Sequence, residues 1–167
     1  MTTSPPYLIY SANGANLWML PAPVFKGDVY GTIDSLAGFQ MKHLASLIEP
    51  DEAEALGLAQ LHEATNLHRI HLHVLPIVDR HPPNEPQDFN ALAGRLTKSF
   101  LSGESVGVHC KSGIGRSGMI TCAILGKLGF DLNQALARIA KHRGLEAPNT
   151  PRQIEWLEGF WGTLAAA

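Results

Sequence analysis

The sequence is poor in cysteine. Two thiols, Cys110 and Cys122, in 167 residues cannot build the disulfide framework of a small secreted domain, and a reducing cytoplasm is the expected setting. Charge of one sign is also missing. A net charge of −2 gives no global field to draw nucleic acid or an anionic membrane, so any anion must be held locally. No apolar run approaches the roughly 20 residues that a membrane span needs, and no basic segment followed by an apolar stretch suggests a secretion signal. Neither nucleic acid nor stable membrane association is expected. Internal repeats, low-complexity tracts and interdomain linkers are absent too. What remains, 45% hydrophobic and 17% charged, describes one globular domain, expected as a monomer.

Periodicity then places the elements. Met1–Pro6 reads as a loose terminus. Leu17–Leu20 suits a short strand closed by Pro21 and Pro23, and Val29-Tyr30 suggests another. Asp34 is expected to cap a helix running to His43, with a buried strand over Leu44–Ile48. Asp51–His62 reads as a helix with acidic residues in its first turn. Over Arg69–Val78, Ile70, Leu72 and Val74 alternate with Arg69, His71 and His73, the period of a strand. After a proline-rich loop, Phe89, Leu92, Ala93, Leu96 and Phe100 recur at helical spacing. Val106–His109 forms a short strand, followed by helices over Ser117–Leu128, Leu132–His142 (capped by Asp131, stopped by Gly144) and from Thr150-Pro151 onward. Alternating strands and helices predict an α/β domain, its central, mostly parallel sheet flanked by helices.

The chemistry concentrates in His109-Cys110-Lys111-Ser112-Gly113-Ile114-Gly115-Arg116-Ser117. A strand enters, two glycines let the backbone curl, and a helix begins, so its unpaired N–H groups converge on one point and its dipole favours an anion there. Arg116 adds a planar fork for two phosphate oxygens. Cys110 lies at the base of this cup, where the same positive field favours the thiolate. A thiolate beneath a captured phosphoryl group is an oriented nucleophile.

Cys, five residues, then Arg-Ser, preceded by His, resembles the signature of the cysteine-dependent protein tyrosine phosphatases. Two other segments carry the likeness. Pro76-Ile77-Val78-Asp79 with Arg80 and two prolines is similar to the acid loop of small atypical dual-specificity phosphatases, and Arg143-Gly144 through Gln153 to their Gln-bearing loop. The likeness runs in order from about Gly27 to Trp161. It implies a protein tyrosine phosphatase-like fold, with residues 27–167 as the catalytic domain and 1–26 as an N-terminal extension carrying its first strands. It also implies metal-independent, two-step phosphomonoester hydrolysis without a cofactor, acting on a phosphorylated protein or peptide. Cys110 would attack phosphorus. Lys111, Ser112, Gly113, Ile114, Gly115 and Arg116 would hold the phosphate. Asp79 would protonate the leaving group, Ser117 would help the sulfur depart, His109 would bond the loop, and Gln153 would position water.

Other readings of the same residues stay open. Asp79 also suits an Asx-turn, and Asp88 competes as acid but reads better as a helix cap. Ser117 suits a helix N-cap. Thr150-x-x-Gln153 spells a capping box. Lys111 is equally well a solvated side chain. Cys122 sits among Ile120, Ala123 and Ile124 and reads as core. His71 and His73 share a strand face, but no further ligand stands at zinc spacing, so no metal is expected. A phosphoinositide or inositol phosphate is the alternative substrate for the same chemistry. A non-catalytic phosphate-binding module is disfavoured because Cys, Arg and acid are all present.

Overall fold

This computed structural model describes residues 5–165; the expected loose terminus falls largely on Met1–Ser4, outside the described residues. Five strands form one sheet in the order β1-β2-β5-β3-β4. β1 (Tyr7–Ala12) pairs antiparallel with β2 (Ala15–Leu20). β2, β5 (Ser105–His109), β3 (Met41–Ser46) and β4 (His71–Val74) are parallel neighbours. The central, mostly parallel sheet flanked by helices is therefore as expected.

The helices form two groups. α1 (Val29–Gly38) and α3 (Leu61–Leu67) pack on each other and on β3 and β4. α4 (Pro86–Leu101) and α5 (Gly115–Lys127) lie on β2 and β5, α6 (Leu132–Arg143) packs on β1 and α5, and α7 (Pro151–Ala165) closes on α5 and α6. β5 is buried at all five positions, because it has a strand on either side and helices near both faces. α5 is buried from Arg116 to Leu125, which makes it the central helix and explains its apolar surface all round.

Several boundaries differ from the sequence expectation. α1 begins at Val29, since Asp28 rather than Asp34 caps it by accepting from the Gly31 N–H at 2.8 Å. Val29-Tyr30 is therefore helix, not strand. The turn at Gln40, φ 61°, ends that helix early and lets β3 start at Met41. The helix expected over 51–62 is two, α2 (Pro50–Ala55) and α3, because Gly57 adopts φ 80° between them. β4 covers only four residues, and Val74 is 62% exposed. β4 is the sheet's edge, and Val74 at its end lies exposed while Leu72 is half-buried. β1, which the sequence reading passed over, pairs at the opposite edge. Asp88 is not a cap; Glu85 precedes α4 and Asp88 lies in its first turn. Ser117 is likewise inside α5, whose N-cap is Ile114.

Parallel neighbours bring their carboxyl ends to one edge. Leu20 and Ser46 both register with His109, so the segments leaving β2, β3 and β5 emerge side by side, where open α/β sheets bind ligands. Close backbone approach holds the α6–α7 connection there. A Cβ on Gly118 would lie 2.7 Å from the Pro148 nitrogen and 2.9 Å from the Ala147 carbonyl carbon. Gly118→Ala should therefore destabilise the protein by about 1–3 kcal/mol through overpacking, against the gain of up to about 1 kcal/mol that alanine brings to a helix. Gly94→Ala in α4 meets nothing within 4 Å and should show only the gain. Urea denaturation of the two variants checks the opposite signs.

Candidate active site

His109 ends β5, and the chain turns through Cys110–Ile114 into α5. Gly113 takes φ 68°, and a Cβ there would lie 2.7 Å from the Leu20 carbonyl carbon. The turn thus requires glycine twice over, for conformation and for contact with the end of β2. The Ala22 N–H donates to the Lys111 carbonyl at 3.1 Å on the same side. Gly118 makes the first intrahelical bond, to Ile114 O. The N–H groups of Gly115, Arg116 and Ser117 are left at the positive end of the helix dipole.

Cys110 is 3% exposed, and its Sγ lies 3.3 Å from the Ser117 Oγ. His109 is fully buried, and its Nδ1–H donates to the Cys110 carbonyl at 3.0 Å. Burial holds His109 down to about 4, with the Arg116 charge in the same sense and the Cys110 carbonyl bond opposing it. His109 is thus neutral near pH 7, and orients the loop without adding charge. Lys111 and Ser112 are exposed, Gly113 is buried, and Ile114 and Gly115 are half-buried.

Arg116 is 1% exposed. Its guanidinium grips Glu52 in a fork, Nη1 to Oε2 at 2.7 Å and Nη2 to Oε1 at 2.9 Å. Nη1 also donates to the Ile77 carbonyl at 2.8 Å, and Nη2 stands 3.2 Å from the Asp79 Oδ1. Burial alone would lower the guanidinium's proton affinity. The Glu52 bond and the charges of Cys110, Glu52 and Asp79 outweigh it and hold Arg116 above its ordinary value. In return, the Arg116 bond keeps the Glu52 carboxyl below the usual range, against the opposing effect of burial. The Nε–H of Arg116 is buried without a hydrogen-bond partner among the described residues. Cys110, Ser117, Arg116 and Asp79 are thus brought together.

Gln153 is fully buried, and its Nε2 donates to the His81 carbonyl at 3.2 Å. The capping-box reading gives way: at the start of α7 only backbone bonds run to Thr150 O. Cys122 is buried in the core, where desolvation pushes its thiol up.

Two residues escaped the sequence reading. Glu52 closes a capping box at the start of α2, accepting from the Glu49 N–H at 2.9 Å. The Glu49-Pro50-Asp51-Glu52 pattern signals that cap, but nothing local signals its fork on Arg116, 64 residues away. Arg143 was noted only inside a resembling stretch. Its Nε donates to Gly113 O at 2.9 Å and its Nη2 to Ser112 O at 3.2 Å, while its guanidinium lies over the Tyr7 ring at 3.9 Å. It braces the back of the turn.

Glu52→Gln should destabilise the fold by less than the roughly 3–5 kcal/mol of breaking a fully buried ion pair, because the Glu52 side chain keeps 21% of its exposure. The wild-type contribution is complete above the unfolded carboxyl value near 4.3 and disappears as pH falls through the lower folded value. Unfolding free energies from pH 7 down to 3 should therefore converge for wild type and Glu52→Gln at the acid end.

The model of the family described as "Dual specificity phosphatase, catalytic domain" matches residues 30–160. Among solved structures, the chain superposes on kinase associated phosphatase (KAP), crystallised with its catalytic-site cysteine replaced by serine. The TM-score is 0.82 at 22% identity, covering 97% of this chain and 96% of that one. PTPMT1 in complex with PI(5)P gives 0.78 at 19% identity, covering 94% and 96%. Human DUSP28 gives 0.69 at 16% identity, covering 99% of each. With the family's catalytic domain spanning most of its length and the fold shared throughout, the chain belongs to the dual specificity phosphatases of the cysteine-dependent protein tyrosine phosphatase superfamily.

Proposed function

We propose that this phosphatase hydrolyses phosphotyrosine in proteins or peptides through a cysteinyl-phosphate at Cys110. One observation carries the chemistry: the Cys110 sulfur sits 3.3 Å from the Ser117 hydroxyl at the start of α5, beside an Arg116 whose Nε–H is buried and unspent. The loop amides and that N–H receive the equatorial phosphate oxygens. The Cys110 thiolate attacks phosphorus in line, forming the S–P bond as the P–O bond to the leaving group breaks. Asp79, on the loop after β4 and beside Arg116, gives its proton to the departing oxygen. Asp79 then takes a proton from water as that water attacks the phosphocysteine, and the sulfur leaves with Ser117 donating to it. Lys111 adds positive potential at the exposed mouth.

Phosphotyrosine is favoured over a phosphoinositide because Ile114 puts a hydrocarbon, packed against the core, where a multiply phosphorylated head group would want a second cation. A phenol is also a better leaving group than an alcohol. The solved complex of PTPMT1 with PI(5)P makes the phosphoinositide the competing substrate to test.

Cys110→Ser should abolish turnover yet still bind phosphate, since amides and Arg116 remain, while Cys122→Ser stays active. Wild-type-like turnover by Cys110→Ser would end the cysteine mechanism. Asp79→Asn should slow esters of poor leaving groups by about 10²–10⁴-fold and activated ones far less, read from initial rates on a series of aryl and alkyl phosphates. Substrate class is decided by kcat/KM on phosphotyrosine peptides, phosphothreonine peptides and soluble phosphoinositides. Phosphotyrosine should lead. A phosphoinositide ahead by tenfold, about 1.4 kcal/mol, would overturn the substrate assignment and leave the chemistry standing.

A further inference from the structure

The loop bearing Asp79 is fastened to the rest of the site at points the chemistry above does not use. Val78–His81 is a tight turn closed by the His81 N–H on the Val78 carbonyl at 3.0 Å. At its third position Arg80 takes φ 64°, a left-handed conformation in which a long side chain is uncommon. Such a conformation persists when its surroundings over-determine it. Two contacts do so here. The His81 ring folds back, and its Nδ1–H donates to the Asp79 carbonyl at 2.8 Å. The carbonyl of His81 itself accepts from Gln153 Nε2 at 3.2 Å.

Gln153 is at once against the phosphate loop. A Cβ on Gly115 would lie 3.0 Å from Gln153 Oε1 and 3.2 Å from its Nε2. Its amide is therefore wedged between the first residue of α5 and the acid loop, fully buried. One end is spent on His81; Oε1 has no partner among the described residues. Arg116 supplies the other tether, through the Ile77 carbonyl and the Asp79 carboxylate. The acid is thus bracketed, by Arg116 before and at Asp79, and by Gln153 two residues after it.

We infer that Gln153 and His81 are positioning residues for Asp79, latching the acid loop over the phosphate cup. This rests on the assignment of Asp79 as general acid. Gln153 acts through the His81 carbonyl, His81 through the Asp79 carbonyl, and both set where the carboxyl group meets the leaving oxygen. The role differs from that of a glutamine holding the hydrolytic water. A latch acts in both steps that use Asp79, but only in the first, which needs the acid's proton, does its loss grow as the leaving group worsens. A water-holder matters in the second step, where the leaving group has already gone.

The test uses Gln153→Met, which keeps length and removes the amide, with His81→Ala and His81→Asn on the exposed loop. Phosphate binding by each variant confirms an intact cup. Rates are measured on aryl phosphates spanning a range of leaving-group pKa, with pre-steady-state detection of released phenol. A latch predicts that Gln153→Met and His81→Ala lose tenfold or more in kcat/KM, which reports formation of the cysteinyl-phosphate, on the poorest leaving groups and little on the best. His81→Asn, which keeps an N–H donor, should recover part of the loss. In an Asp79→Asn background, Gln153→Met should add nothing, since the residue it positions no longer delivers a proton. A full burst followed by slow turnover, equal for every leaving group, would overturn the latch in favour of a water-holder. Unchanged rates in both variants would also overturn it. If Asp79→Asn itself shows no leaving-group dependence, the acid assignment fails, which is a separate outcome from failure of the latch.

Discussion

A guanidinium at 1% exposure cannot stand alone, because an uncompensated buried cation costs several kcal/mol. The surroundings of Arg116 follow from that requirement. Its position is set by α5, the helix buried at the centre of the domain. Its acceptors come from elsewhere in sequence: Glu52 from α2, the Ile77 carbonyl and Asp79 from the segment after β4. Pairing the arginine therefore pins three otherwise independent segments around one point. Glu52 is itself preset by the capping box that starts α2, so the carboxylate arrives with little rotameric freedom left to lose.

Two kinds of support meet at the cup. On one side two contacts are backbone against backbone, Gly113 against Leu20 and the Ala22 N–H on the Lys111 carbonyl, and the Arg143 side chain adds bonds to the carbonyls of Ser112 and Gly113. These contacts leave no room for a side chain at Gly113 and give the turn one geometry. On the other side the acid loop is joined at its start by one backbone bond, the Ile77 N–H on the Leu47 carbonyl at 3.0 Å, and beyond it by side chains, Arg116 on the Ile77 carbonyl and Gln153 on that of His81. These buried contacts fix the two ends of the turn, while Val78–His81 between them stay exposed to solvent.

What could be read from the sequence was what is local. The nine residues from His109 to Ser117 announce a strand, a glycine turn and a helix start, and these fold as their spacing demands. The core stripe of α4 and the Asp131 cap of α6 were legible for the same reason. Misreadings clustered where two local signals competed. Asp28 and Asp34 are both plausible caps, and the first won because the Gly31 N–H was in reach. Asp51–His62 carries helical spacing across Gly57, whose positive φ breaks it. Thr150-x-x-Gln153 has the letters of a capping box, yet the glutamine found a carbonyl 72 residues away. Glu52 and Arg143 were invisible as site residues because their partners are distant in sequence. No periodicity encodes a fork on an arginine or a brace behind a turn.

Under the proposed phosphotyrosine reading, Ile114 matters for a structural reason as well as a chemical one. It is the N-cap of α5 and packs, half-buried, against the core. A lysine there would have to bury its stem in the same contacts and carry its charge past them to the mouth. On the proposed reading the turn would then take a single phosphoryl group at its centre. Arg80, Lys111 and Arg152 are exposed on three different segments. Such solvated charges contribute little binding each and are screened by salt, but their long side chains adapt to acidic residues on either side of a phosphorylated one. Under the proposed phosphotyrosine reading, adaptable cations of this kind would suit a peptide chain better than a rigid, multiply phosphorylated ring. On that reading the discrimination would lie at Ile114 and not at Cys110, whose chemistry would serve either substrate.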